Sequence, residues 1–133
     1  MTSHAPGPVV LIVDDNEKNL KLARDVLRAA GFRTLDAATG AQAIKLAAEH
    51  VPDLVLLDLR LPDMNGVDVA GELTGIPVVA LSALRLSGDD GELHAAGFAG
   101  YLEKPIDVTA FPDQVRSFCA RGASIPSTGK RPG

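Results

Sequence analysis

The 133-residue chain has no tryptophan, one tyrosine, four phenylalanines and one cysteine. With aromatics at 4%, its core has to be assembled from Val, Leu, Ile and Ala. A lone cysteine, Cys119, excludes an internal disulfide and fits a reducing compartment such as the cytoplasm. On an apolar helix face it reads as a buried residue rather than a reactive thiol. The longest apolar run, Val9 to Val13, is five residues, so membrane insertion is not expected. No basic segment followed by an apolar stretch opens the chain, and no signal peptide is expected. The three histidines, His4, His50 and His94, are scattered and suggest no metal site. Positive charge is scarce as well: 13 Lys and Arg stand against 17 Asp and Glu, a net charge of −4. Three of those positive charges (Arg121, Lys130, Arg131) fall at the C-terminal end, which leaves the body more acidic than the whole. Phosphate contacts dominate nucleic-acid affinity, so direct DNA binding is not expected.

What the chain does have is 46% apolar residues, a normal content for one globular domain of this length. Residues 1–8 and 121–133, rich in Gly, Pro and Ser, read as flexible ends around a folded domain over 9–120. Inside it, strand-like and helix-like patterns alternate. Strands are predicted at Val9–Val13, Phe32–Ala37, Asp53–Leu57, Pro77–Leu81 and Gly100–Glu103. The spacing predicts a helix over Glu17–Ala30, with Leu20, Ala23, Val26, Leu27 and Ala30 inward, Asp15 or Asn16 as cap and Gly31 as stop. A second helix over Ala41–His50 turns Ile44, Ala47 and Ala48 inward, with Thr39 as cap. A short third covers Val67–Leu73. A fourth, opened by Ser87-Gly88-Asp89-Asp90-Gly91 and running to about Ala96, is the least secure because glycine weakens helix interiors. The last spans about Val108–Ala120 with Phe111, Val115, Phe118 and Cys119 inward. One turn precedes a restart at Pro112, since proline is tolerated only in a helix's first turn. Five such βα units with right-handed crossovers make a doubly wound α/β fold with a parallel five-stranded sheet.

In a parallel sheet the strand C-termini share one edge, where open α/β folds build their sites. Asp14-Asp15, Asp58, Ser82 and Lys104 each stand at or just after a predicted strand end. At ~4 Å each pair of carboxylates repels by about 4 kcal/mol at an effective dielectric near 20. Such a cluster either raises a pKa or recruits a cation, and Mg²⁺ prefers oxygen ligands. Asp14 and Asp15 suit the cation, on the reading that neither can be packed inside. Asp58, leaving the core after Leu-Val-Leu-Leu, reads as an exposed, aimed carboxylate able to accept a phosphoryl group as a mixed anhydride. Lys104 can supply a point charge to phosphoryl oxygens and Ser82 a hydroxyl, while Pro105 fixes the direction of the lysine turn.

Four segments carry a resemblance: Val-Asp-Asp (13–15), Leu-Asp-Leu-Arg-Leu-Pro-Asp-Met-Asn-Gly (57–66), Ala-Leu-Ser-Ala (80–83) and Glu-Lys-Pro (103–105). Over about residues 9–120 the chain resembles the receiver domain of bacterial two-component response regulators. The resemblance implies a flavodoxin-like strand order 2-1-3-4-5. It makes Asp58 the phosphoacceptor, with Mg²⁺ held by Asp14, Asp15, Asp58 and the backbone carbonyl of Arg60. Ser82 resembles the switch hydroxyl, and Tyr101 the aromatic that turns inward after it. It also implies a histidine kinase or histidine phosphotransfer protein as phosphoryl donor, an unknown downstream protein target, and no enzymatic activity beyond the chain's own phosphorylation and dephosphorylation. A stand-alone signalling switch, acting through protein contacts, is the expected form.

Only 24 positions separate Asp58 from Ser82, several fewer than such receivers usually have. The third helix, ~10 Å at 1.5 Å per residue, is therefore expected to be truncated. Arg60 and Leu84, two residues beyond the acceptor and the switch hydroxyl, occupy positions that tune dephosphorylation in the family. Ser87–Gly91 is expected to be the most mobile part of the body. Two rivals stand beside this reading. One is a receiver-like module that binds partners without phosphorylation. The other is a small haloacid-dehalogenase-type phosphohydrolase with Asp14 as nucleophile, but that chemistry wants an acid where Asn16 stands, and a larger site.

Overall fold

The computed structural model describes residues 7–73, 75–82 and 97–123. The expected fourth helix, the Ser87–Gly91 segment, Leu84, His4 and His94 lie outside the described residues, as do 1–6 and 124–133. The elements run β1 (Val9–Val13), α1 (Glu17–Ala29), β2 (Arg33–Ala37), α2 (Gly40–His50), β3 (Leu54–Asp58), α3 (Gly66–Glu72), β4 (Val78–Ser82), β5 (Gly100–Glu103) and α4 (Phe111–Ala123). The strands form one sheet in the order β2-β1-β3-β4-β5, and every neighbouring pair is parallel.

Strands covered on both faces need apolar side chains at successive positions, and β1, β3 and β4 are Val- and Leu-rich runs of that kind. The two-residue side-chain period then divides them between two cores. Val10, Ile12, Leu54, Leu56, Val79 and Leu81 pack with Leu20, Ala23 and Leu27 of α1 and Phe111, Val115 and Cys119 of α4. Leu11, Val13, Val55, Leu57, Val78 and Ala80 pack on the other side with Ala43 and Ala47 of α2, Val69 and Ala70 of α3, and Phe98. Burying each such Val or Leu contributes roughly 1.5–3 kcal/mol, against a comparable loss of chain entropy.

Local signals set the element ends. Asn16 caps α1 by accepting the Asn19 amide at 3.1 Å, which decides between the two predicted caps. Gly31, at φ +98°, turns the chain out of α1 in a conformation that side chains disfavour. Asp107 gathers the turn before α4, its Oδ1 accepting Thr109 N at 2.9 Å, and Pro112 sits in the first turn, where no helical N–H is lost. Several boundaries differ from the expected ones. Phe32 is buried but precedes β2, while β3 and β4 each begin one residue later and extend through Asp58 and Ser82. Ala48 faces solvent; Ala43 is buried in its place, because α2 packs along the four-residue step Ala43–Ala47. At the ends, Pro8 accepts the Arg33 amide beside β2, and α4 continues to Ala123. Among the described residues no helix is long and apolar enough to cross a membrane.

One residue closes α2 at a cost. Val51 adopts φ 44°, ψ 70° so that its N–H reaches Ala47 O at 2.9 Å. The left-handed conformation costs a β-branched side chain roughly 1–2 kcal/mol, and Val51 is 68% exposed, so little packing offsets it. Val51→Gly is expected to raise the unfolding free energy by up to about 1 kcal/mol, read as a higher urea midpoint; an unchanged midpoint would mean the strain is not there. Burial pushes the Cys119 thiol up to about 11, with the Asp53 carboxylate adding to the effect. The native chain is therefore expected to leave a thiol reagent unconsumed at mildly alkaline pH and to react only after denaturation.

Candidate functional site

Because all five strands are parallel, the ends of β1, β3, β4 and β5 open on one edge. Asp14 follows β1, Asp58 closes β3, Ser82 closes β4 and Lys104 follows β5. The ladder continues into these positions: Asp14 N donates to Ala37 O at 3.0 Å, Leu59 N to Leu81 O at 3.3 Å, and Lys104 N to Ser82 O at 2.8 Å. Backbone pairing thus fixes where each side chain starts.

The two buried carboxylates are held alike. Asp14 Oδ1 accepts the backbone amide of Asn16 at 2.9 Å, and Asp58 Oδ1 accepts that of Arg60 at 3.0 Å, each two residues on. Their second oxygens turn toward one ammonium: Lys104 Nζ lies 2.8 Å from Asp14 Oδ2 and 3.1 Å from Asp58 Oδ2. The contact with Asp14 Oδ2 is an ion pair, and among the described residues no other donor reaches that buried oxygen. Asp15 is exposed beside them, and one carboxylate oxygen from each of Asp14, Asp15 and Asp58 falls within 4.8 Å of the others.

Desolvation raises the Asp58 pKa, opposed by the Arg60 amide and the Lys104 charge and reinforced by Asp14. Burial pulls Lys104 the other way, but the contact and charge of Asp14, joined by those of Asp58, outweigh it and hold the ammonium above its ordinary range. Both directions follow from one ammonium serving two carboxylates. Lys104 gains from both partners, while Asp58 receives too small a share to offset its own desolvation.

Two expectations are corrected. Asp14 is packed inside, at 1% exposure, because an amide and an ammonium compensate its charge; Asp58 is likewise 7% exposed rather than open to solvent. The carboxylate repulsion is relieved first by a resident cation, Lys104. Ser82 is buried at the same edge, and Arg60 is exposed, its strand-like pairing with Asn65 closing the loop after β3. Tyr101 pairs in register with Ala80 and is half-buried against the α2/α3 core rather than against the carboxylates. The amides of Asn16 and Arg60, and the carboxylate of Asp63 discussed below, are parts that sequence reading passed over. Backbone donors carry no side-chain signature, and Asp63 acts on a helix more than twenty positions away.

The donor set fits a hard divalent cation such as Mg²⁺: three converging carboxylates, one presenting a buried oxygen that no donor but the Lys104 ammonium reaches among the described residues.

Comparison with known proteins bears on what such a site belongs to. The model of the response regulator receiver domain matches residues 10–116. The polar-differentiation response regulator DivK of Brucella ovis is 40% identical over 115 residues, spanning 82% of this chain and 94% of that protein. The receiver domain of the Francisella response regulator 1452 superposes with a TM-score of 0.79 at 25% identity, covering 86% of this chain and 98% of that one. The chemotaxis response regulator CheY4 of Vibrio cholerae shares the fold at a TM-score of 0.77 and 23% identity, over 84% and 98% of the two chains.

The raised Asp58 pKa has a consequence for stability. The folded state holds the Asp58 proton more tightly than the unfolded state, so stability is lost as pH rises from the ordinary value of 3.8 through the raised one. With divalent cations chelated, Asp58→Asn is expected to be more stable than the wild type at neutral pH. The difference should shrink as pH is lowered toward 3.8. Denaturant melts at several pH values would read this, and a constant difference would contradict it.

Proposed function

Because this chain belongs to the response regulator receiver domain family, and so to two-component signalling, we propose that it is a switch driven by phosphorylation of Asp58. What carries the reading is Lys104 held between two buried carboxylates at the sheet edge, beside a third. The donor is a phosphohistidine on a histidine kinase or histidine phosphotransfer protein. A carboxylate oxygen of Asp58 attacks phosphorus, the P–N bond breaks, the imidazole leaves with the electron pair, and an acyl phosphate forms on Asp58.

The transfer asks mainly for positioning and charge neutralisation. Asp14, Asp15, Asp58 and the Arg60 carbonyl would hold Mg²⁺, which when bound neutralises charge on the phosphoryl oxygens. Lys104 exchanges part of its contact with Asp58 for a phosphoryl oxygen, and Ser82 offers its hydroxyl to another. These new contacts favour a second state of the domain, with Tyr101 moving further inward, and a downstream protein binds the shifted surface. The chain performs this chemistry only on itself, in the cytoplasm, without contacting DNA.

Intact-mass measurement after incubation with acetyl phosphate and Mg²⁺ tests the proposal. One phosphoryl group is expected on the wild type, and none with Asp58→Asn or with EDTA. Lys104→Ala should slow the gain roughly 100-fold, as removal of one preorganised charge stabiliser does. A folded wild type that binds Mg²⁺ yet gains nothing from acetyl phosphate or from a phosphohistidine donor would favour a module that binds without phosphorylation.

A further inference from the structure

The loop between β3 and α3 is fastened at its base. Arg60 N bonds to Asp58 Oδ1, Gly66 N to Leu59 O at 3.2 Å, and Arg60 pairs with Asn65. Its tip is fastened elsewhere, across 22 and 23 positions of sequence. Asp63 Oδ1 accepts Gly40 N at 2.8 Å, and Asp63 Oδ2 accepts Ala41 N at 3.1 Å. Those two amides, led by that of Gly40, hold the Asp63 carboxyl below its ordinary range.

Helix α2 has its own start signal without Asp63. Thr39 Oγ1 accepts Gln42 N at 3.1 Å as the helix's side-chain cap, and Gln42 Oε1 reaches back to accept Ala38 N at 2.8 Å, one residue ahead of the cap. Asp63 takes the amides of the first two helical residues, Gly40 and Ala41. The approach is close because residue 40 is glycine: a Cβ there would stand 2.9 Å from Met64 Sδ and 2.8 Å from Val69 Cγ2. A helix already capped gains little folding information from a second, distant carboxylate. What the grip does is tie the far end of the Asp58 loop to the α2/α3 layer.

We propose that Asp63 is a positioning residue for the cation site, its grip on Gly40 and Ala41 steadying the loop whose Arg60 carbonyl would serve as a ligand. The inference rests on the reading of Arg60 given above. Without the tether only the base contacts hold the loop, and the backbone at Arg60 is held less firmly.

The test is a Mg²⁺ titration of the ¹⁵N-labelled full chain without any phosphoryl donor, following the Arg60 amide resonance. Asp63→Ala is expected to raise the half-saturating Mg²⁺ concentration roughly tenfold, the low end for loss of an outer-shell support, and Asp63→Asn by less, since one acceptor oxygen remains. Thr39→Ala, which removes the helix's own cap, is expected to lower the thermal midpoint while leaving the Mg²⁺ midpoint unmoved. Wild-type affinity in Asp63→Ala would overturn the proposal. So would an equal shift in Thr39→Ala, which would reduce the effect to general weakening of α2. A wild type whose Arg60 amide ignores Mg²⁺ would remove the cation reading itself, and this inference with it.

Discussion

The arrangement depends on one ammonium shared by two buried carboxylates. Asp14 and Asp58 are both buried at the sheet edge, where a carboxylate without a compensating partner is costly. Lys104 makes their burial tolerable, and the Asn16 and Arg60 amides occupy the oxygens it does not reach. Three carboxylates against one ammonium still leave a deficit of two positive charges, the amount a divalent cation supplies. The cluster is therefore poised: stable enough to fold, and short of charge in a way that a particular ligand satisfies.

The sheet makes this possible by repetition. Each βα unit delivers its strand end to the same edge, so residues from positions 14 to 104 meet without a special loop to bring them together. Only the support for the Asp58 loop departs from that scheme, reaching sideways to α2 through Asp63. The seven-residue α3 leaves that loop with a short anchor on its own side, which gives the sideways contact more to carry.

Much of this was legible in the chain, and the parts that were not share a cause. Buried strands announce themselves as Val and Leu runs, so β1, β3 and β4 are placed to within a residue, and with them the edge that gathers Asp14, Asp58, Ser82 and Lys104. Glycine and proline made Gly31 and Pro112 readable. Burial of charge was not: Asp14 looks like a surface residue until its compensating partner, 90 positions away, is known to be in contact. The inward face of α2 was misjudged at Ala48 because alanine at four nearby positions gives a weak periodic signal. Asp63 went unseen because a side chain that caps another element has no local pattern.

The scarcity of aromatics has a practical side. With no tryptophan, near-ultraviolet emission from this protein comes from the single tyrosine, Tyr101, half-buried on β5 three residues before Lys104. The unlabelled molecule thus carries one intrinsic fluorophore on the strand that leads to Lys104, with no indole or second phenol to obscure it.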